Sequence, residues 1–121
     1  MPFQYVRDDD RHRIRITLSD PLTVAELTAS IERQFADGAW LYGLIVDARS
    51  VVAQPIDIPS FQAHVRELVA THGPRGPVAF VATESGVIGS AQRYIFGSKS
   101  ESMEVFWALD DAQRWMDERM A

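Results

Sequence analysis

The segment Leu41-Tyr-Gly-Leu-Ile-Val46 carries no charge and is closed by Asp47. It is too short for an ordinary helix, and a strand that is apolar on both sides must be covered on both faces. A chain built around such a strand needs helices to do the covering, and the flanking sequence supplies them. Thr23 and Glu26 form a capping-box pattern, after which Val24, Leu27, Ile31 and Phe35 recur at helical spacing until Asp37-Gly38. On the other side, Ala48 to Pro59 carries two prolines and reads as a loop. Ser60 then caps a helix to about Thr71, with Phe61, Val65, Leu68 and Val69 inward, and Gly73-Pro-Arg-Gly-Pro77 stops it.

The same alternation extends both ways. Phe3 to Arg7 and His12 to Leu18 flank the polar turn Asp8-Asp9-Asp10-Arg11 with the spacing of a hairpin. In the second run Ile14, Ile16 and Leu18 alternate with Arg11, Arg13, Arg15 and Thr17. One face is thus apolar, and the Arg face is expected to meet water or a partner, as on the charged edge strands that resist sheet-to-sheet aggregation. Downstream, Val78 to Ala82 reads as a buried strand, and Ser85 to about Phe96 as a helix with Ile88, Ala91 and Ile95 on one side. Met103 to Leu109 reads as a fifth strand, and Asp110 with Gln113 caps a last helix whose Ala112, Trp115 and Met116 face inward. The expectation is an α/β fold: a mixed five-stranded sheet, its N-terminal pair antiparallel and its later strands parallel, with four helices. A length of 121 residues suits one domain over 1–121.

Composition removes several functions. Cysteine is absent, so disulfides, thiolate nucleophiles and sulfur-ligated metal sites are excluded. A net charge of −5 opposes binding to a nucleic-acid backbone, which draws on a basic surface. Eleven of the basic residues are Arg and only Lys99 is Lys, so a local Arg cluster could still hold one small anion through forked hydrogen bonds. No apolar run approaches the length of a membrane span, and Met1 to Asp10 is acidic where a signal peptide needs a basic start. The expected location is cytoplasmic.

Positive signals for chemistry are few. His12, His64 and His72 lack metal-ligand spacing, His64 and Glu67 sharing only a helix face. No G-x-S-x-G elbow occurs, so no catalytic residue, metal or cofactor is assigned. Two groups remain as ligand-binding candidates. Ser85, Gly86, Gly89 and Ser90 open the third helix, where free N–H groups and the helix dipole attract anions, with Arg93 one turn further on. Asp47 and Arg49 follow the central strand at its carboxyl end, where open α/β sheets gather ligand-binding groups. Each also has a plain structural reading, as a helix cap with a packing glycine and as a turn Asp paired with a surface Arg.

With this element order, Tyr42-Gly-Leu-Ile-Val-Asp47 followed by Ile56-Asp-Ile-Pro-Ser-Phe61 resembles the STAS superfamily of anti-sigma-factor antagonists. Asp47-Ala-Arg49, Gly76-Pro-Val-Ala79, the Gly89 to Arg93 stretch and Val105-Phe106 with Ala112 and Trp115 resemble a SpoIIAA-like bacterial group related in fold to SEC14-type lipid carriers. The resemblance implies a non-enzymatic regulatory module that binds a protein partner, or a small anionic or lipid ligand, with a homodimer also open. It further implies a phosphorylatable Ser at the start of the second helix. Here Ile58 stands where that Ser would be, which leaves Ser60 as the nearest candidate for phosphorylation.

Overall fold

In the computed structural model, which describes residues 3–52, 57–98 and 102–120, the apolar run leads into the central strand of a five-stranded sheet. Along the chain the elements are β1 (Phe3–Asp8), β2 (Arg13–Ser19), α1 (Val24–Ala36), β3 (Gly43–Ser50), α2 (Ile58–His72), β4 (Val78–Val81), α3 (Ser85–Gly97), β5 (Met103–Phe106) and α4 (Leu109–Arg119). The strands lie side by side in sequence order. β1 and β2 are antiparallel, and every later neighbouring pair is parallel, so the α/β architecture read from the sequence is the one observed.

Right-handed crossovers between strands laid down in order put every crossover helix on the same face of the sheet. Accordingly α1, α2 and α3 send Ile31, Phe61, Val65 and Tyr94 onto a core built on Ile14, Ile16, Leu44, Val46 and Val78. The chain leaves β5 without another strand to reach, and α4 packs Ala112 and Met116 on the opposite face, against Ile45, Ala79 and Val81. Leu44, Ile45 and Val46 are exposed by only 1%, 1% and 6%, the two-sided burial that their continuous apolar character demands. One helix about 10 Å across spans only two or three strands spaced about 4.8 Å apart. α4 contacts β3, β4 and β5, which leaves the β1–β2 side of its face without a helix.

Local details differ from the sequence reading, each for a packing reason. Leu41 is exposed, and β3 starts at Gly43 and runs on through Ala48 to Ser50, residues assigned to a loop. Residues 53–56 of that predicted loop, Ile56 among them, lie outside the described residues. In α1 the buried stripe ends on Gln34 rather than Phe35, because the Gln34 amide donates to the carbonyls of Ala39 (3.0 Å) and Tyr42 (3.3 Å) in the turn that follows. Half-exposed Phe35 stacks on His72 with ring centroids 3.7 Å apart. Helix α2 is capped by Asp57, not Ser60, and α3 by Glu84, not Ser85. α3 is also rotated: Tyr94 is its buried residue, while Ile88 and Ile95 are half-exposed. β5 ends at Phe106, and α4 begins at Leu109 with Asp110 and Asp111 in its first turn, where they complement the dipole instead of capping. Finally, the Arg stripe is not on an edge strand. β2 lies between β1 and β3, and Arg13, only 6% exposed, pairs with Asp117 of α4 at 2.5 Å.

Two glycines mark where backbone packs closest. A Cβ on Gly76 would lie 2.5 Å from the carbonyl oxygens of both Leu41 and Tyr42, and the Gly76 N–H already donates to the Trp40 carbonyl at 3.2 Å. On Gly43 a Cβ would meet the Met116 sulfur at 2.3 Å, the yielding end of a flexible side chain. Gly76→Ala is therefore expected to lose about 1–3 kcal/mol of unfolding free energy, and Gly43→Ala clearly less. Urea denaturation of the two variants beside the wild type checks the order.

Candidate functional site

Between the helix-rich face of the sheet and the α2–α3 pair lies an apolar cavity of about 80 Å³. Its floor is Leu18 of β2, Val46 and Ala48 of β3 and Phe80 of β4, all toward the carboxyl ends of their strands. Phe61 of α2 and Val87, Ala91 and Tyr94 of α3 form the walls, and Leu22 and Val51 close one end. Tyr94 is braced from two sides, its ring centroid 5.2 Å from Phe61 and 5.8 Å from Phe80. The crevice at strand carboxyl ends is where open α/β sheets place ligands. Ser90 brings a hydroxyl to a lining that is otherwise almost wholly apolar.

Of the residues proposed for the third helix, Ser90 lines this cavity, and Arg93 is tied to it by Nη2 donating to Ser90 Oγ at 3.1 Å. The Arg93 guanidinium also lies 3.6 Å from where a Gly89 Cβ would be, so it runs back along its own helix. Ser85 and Gly86 form the first turn, but the Glu84 carboxylate accepts the Val87 N–H at 3.0 Å, so the chain supplies its own anion there. Ser60 is likewise engaged: its N–H and hydroxyl donate to the two Asp57 carboxylate oxygens at 3.0 and 2.6 Å, which holds Asp57 below the usual carboxylate range. A phosphate on Ser60 would lose that donor and face Asp57 as a like charge.

Asp47 and Arg49 are not part of this group. Asp47 is level with Val81, whose side chain belongs to the α4 face, so the pair projects to the side of the sheet away from the cavity. Arg49 grips it with Nε at 2.9 Å and Nη2 at 2.8 Å, and the Arg49 backbone N–H adds a third bond at 3.2 Å. These hydrogen bonds from Arg49 hold the Asp47 carboxyl below its ordinary range despite its burial. Val87 and Tyr94, two helical turns apart on one face, were the missed signal for the cavity wall. His64 shares a 3.0 Å hydrogen bond with Glu32 of α1. Among the described residues no helix is long and apolar enough to cross a membrane, and no group of three His, Asp or Glu could hold a metal.

The sequence matches no family model and no curated protein.

The Asp47–Arg49 pair makes a pH prediction. A carboxyl whose folded value is depressed below its unfolded one adds stability that is fully present above the unfolded value, about 3.9, and is lost as pH falls through the folded value. Asp47→Asn should therefore lower the stability by about 1 kcal/mol at neutral pH. The gap to wild type should narrow as the pH falls below the ordinary carboxylate range and the Asp47 carboxyl takes up its proton, as read from urea midpoints across that range.

Proposed function

We propose that this chain is a non-enzymatic STAS-like binding domain of the cytoplasm whose ligand is a small apolar or lipid-like molecule taken into the cavity between β3–β4 and α2–α3. The cavity is the observation that carries this reading. It is apolar, sits at strand carboxyl ends, and is walled by aromatic rings that hold each other in place. Burial of each methylene there is worth about 0.8 kcal/mol, so a short hydrocarbon chain gains useful affinity without any polar anchor. Where the chain emerges beside Ser90, the Arg93 guanidinium is close enough to that hydroxyl to meet an acidic head group. The same lining supports the non-catalytic reading, since Ser90 bonds to a guanidinium, which cannot take its proton. The STAS-like assignment rests on the Tyr42–Asp47 and 56–61 segments together with the element order.

A second reading, a module that captures a protein partner, is supported by a different feature. Phe96 and Trp107 are 80% and 74% exposed beside the half-exposed Ile95 and Val105, next to the open edge of β5. Apolar side chains grouped in this way mark interaction surfaces more often than they mark inert ones.

Isothermal titration with straight-chain fatty acids of roughly six to twelve carbons tests the first reading, with a negative heat-capacity change expected as apolar surface is buried. Ala91→Phe fills the cavity from α3; it should weaken binding by about tenfold or more and hold or raise the melting temperature. Equal binding by the filled variant, or none by the wild type, would shift the assignment to the α3–β5 surface.

A further inference from the structure

On the other face of the sheet, beyond the strands that α4 covers, a cleft of about 160 Å³ is lined by Arg11, Arg13 and Arg15 together with Asp8, Val6, Ile45 and Gln113. Arg13 and Arg15 alternate onto the same side of β2, about 7 Å apart along the strand, and Arg11 reaches the cleft from the turn before it. Arg13 is more than nine-tenths buried. Asp117 takes one of its N–H donors, through Nη2, while Nε and Nη1 are shielded from water and have no hydrogen-bond partner among the described residues; the Nε of Arg15 is in the same state. A guanidinium keeps its charge when buried, so its orphan donors cannot be relieved by losing a proton and call for an acceptor.

The acidic groups nearby do not supply it. Asp117 reaches Arg13 through Oδ1 at Nη2 and not at Nε or Nη1. Asp8 turns to Arg11, accepting the Arg11 backbone N–H at 3.2 Å with the guanidinium 3.9 Å away. Asp47, on the same face, is held by Arg49. Of the three guanidiniums that line the cleft, Arg13 is paired with Asp117 and Arg11 with Asp8, while among the described residues Arg15 has no ion pair, so what the cleft offers is the Arg15 charge and the unfilled donors of Arg13. We propose that this cleft is a binding site for a small organic oxyanion, its phosphate or carboxylate group on Arg13 and Arg15 with Arg11 closing over it, and its apolar body against Val6 and Ile45. The Gln113 amide from α4 adds an uncharged donor at the rim. The site is separate from the cavity on the helix-rich face and does not depend on the function proposed for it.

The Nε–H groups of Arg13 and Arg15 give a direct readout, because buried ones exchange slowly with water and are resolved in nitrogen–proton correlation spectra. Phenyl phosphate, benzoate and inorganic phosphate serve as probes: phosphate against carboxylate separates the two head groups, and inorganic phosphate against phenyl phosphate isolates the apolar body. At least one organic probe is expected to shift both Nε–H signals saturably, to raise the melting temperature, and to bind about tenfold more weakly to Arg15→Gln. Arg15 does not hold α4, so that variant keeps the fold, and Ala91→Phe, which closes the other cavity, should leave the affinity unchanged. Unmoved Nε–H signals, an Arg15→Gln variant that binds as well as wild type, or the same response to chloride at matched ionic strength would each overturn the proposal.

Discussion

The winding of the chain governs everything else in this fold. Strands that follow one another across a sheet by right-handed crossovers must place α1, α2 and α3 on one face. The other face is then left to whatever follows the last strand, and here that is α4 alone. Three helices are enough for a five-strand sheet and one is not, given the widths of helices and the spacing of strands. The two faces consequently have different chemistry. The crowded face is apolar from Phe3 to Met103. The face with one helix grades from an apolar patch under α4 to Arg13, Arg15 and Asp47 where the helix runs out.

Both candidate sites come from that asymmetry. On the crowded face the helices must meet each other as well as the sheet, and the cavity opens where α2 and α3 diverge above the strand ends, with Tyr94 acting as a spacer between Phe61 and Phe80. On the other face, the end of α4 brings Asp117 over β2 and draws Arg13 into the interior. A buried ion pair adds little net stability by itself, because desolvation offsets the attraction. Its effect here is geometric: it fixes one end of a guanidinium that lines the cleft and whose Nε and Nη1 have no hydrogen-bond partner among the described residues.

The element order and strand directions were legible because they depend on local signals. The alternation of Ile14, Ile16 and Leu18, the uncharged run before Asp47 and the Thr23–Glu26 capping box each act within a few residues. Errors arose where tertiary neighbours decide. α3 carries Val87, Ile88, Ala91, Tyr94 and Ile95 on one arc of about 120°; Ile88, Ala91 and Ile95 lie toward one side of that arc, and the place of α3 between α2 and the edge strand β5 turns the other side, with Tyr94, to the core. Gln34 is buried because its amide reaches the carbonyls of Ala39 and Tyr42 in a turn only a few residues away, a demand invisible to a hydrophobicity pattern. The caps differ by a residue or more for a related reason: Glu84 and Asp57 sit one and three residues before Ser85 and Ser60, and a carboxylate there accepts a backbone N–H of the first turn, which for Asp57 is that of Ser60 itself.

The candidate site was legible in part. Ser90 and Arg93 stand out in the sequence for the helix dipole; Ser90 lines the cavity and Arg93 reaches it only through its bond to the Ser90 hydroxyl, while the dipole is answered by Glu84. The Arg stripe was visible as an alternation, and its meaning was not, since the pattern is the same on an edge strand in water and on an inner strand beside a helix. Burial separates the two cases. On an exposed strand each guanidinium satisfies its donors with water at no cost, whereas beside α4 the Nε groups of Arg13 and Arg15 have neither water nor a protein acceptor. An acidic chain with carboxylates to spare that still leaves those donors unpaired has kept the strongest hydrogen-bonding groups of its open face for something other than its own fold.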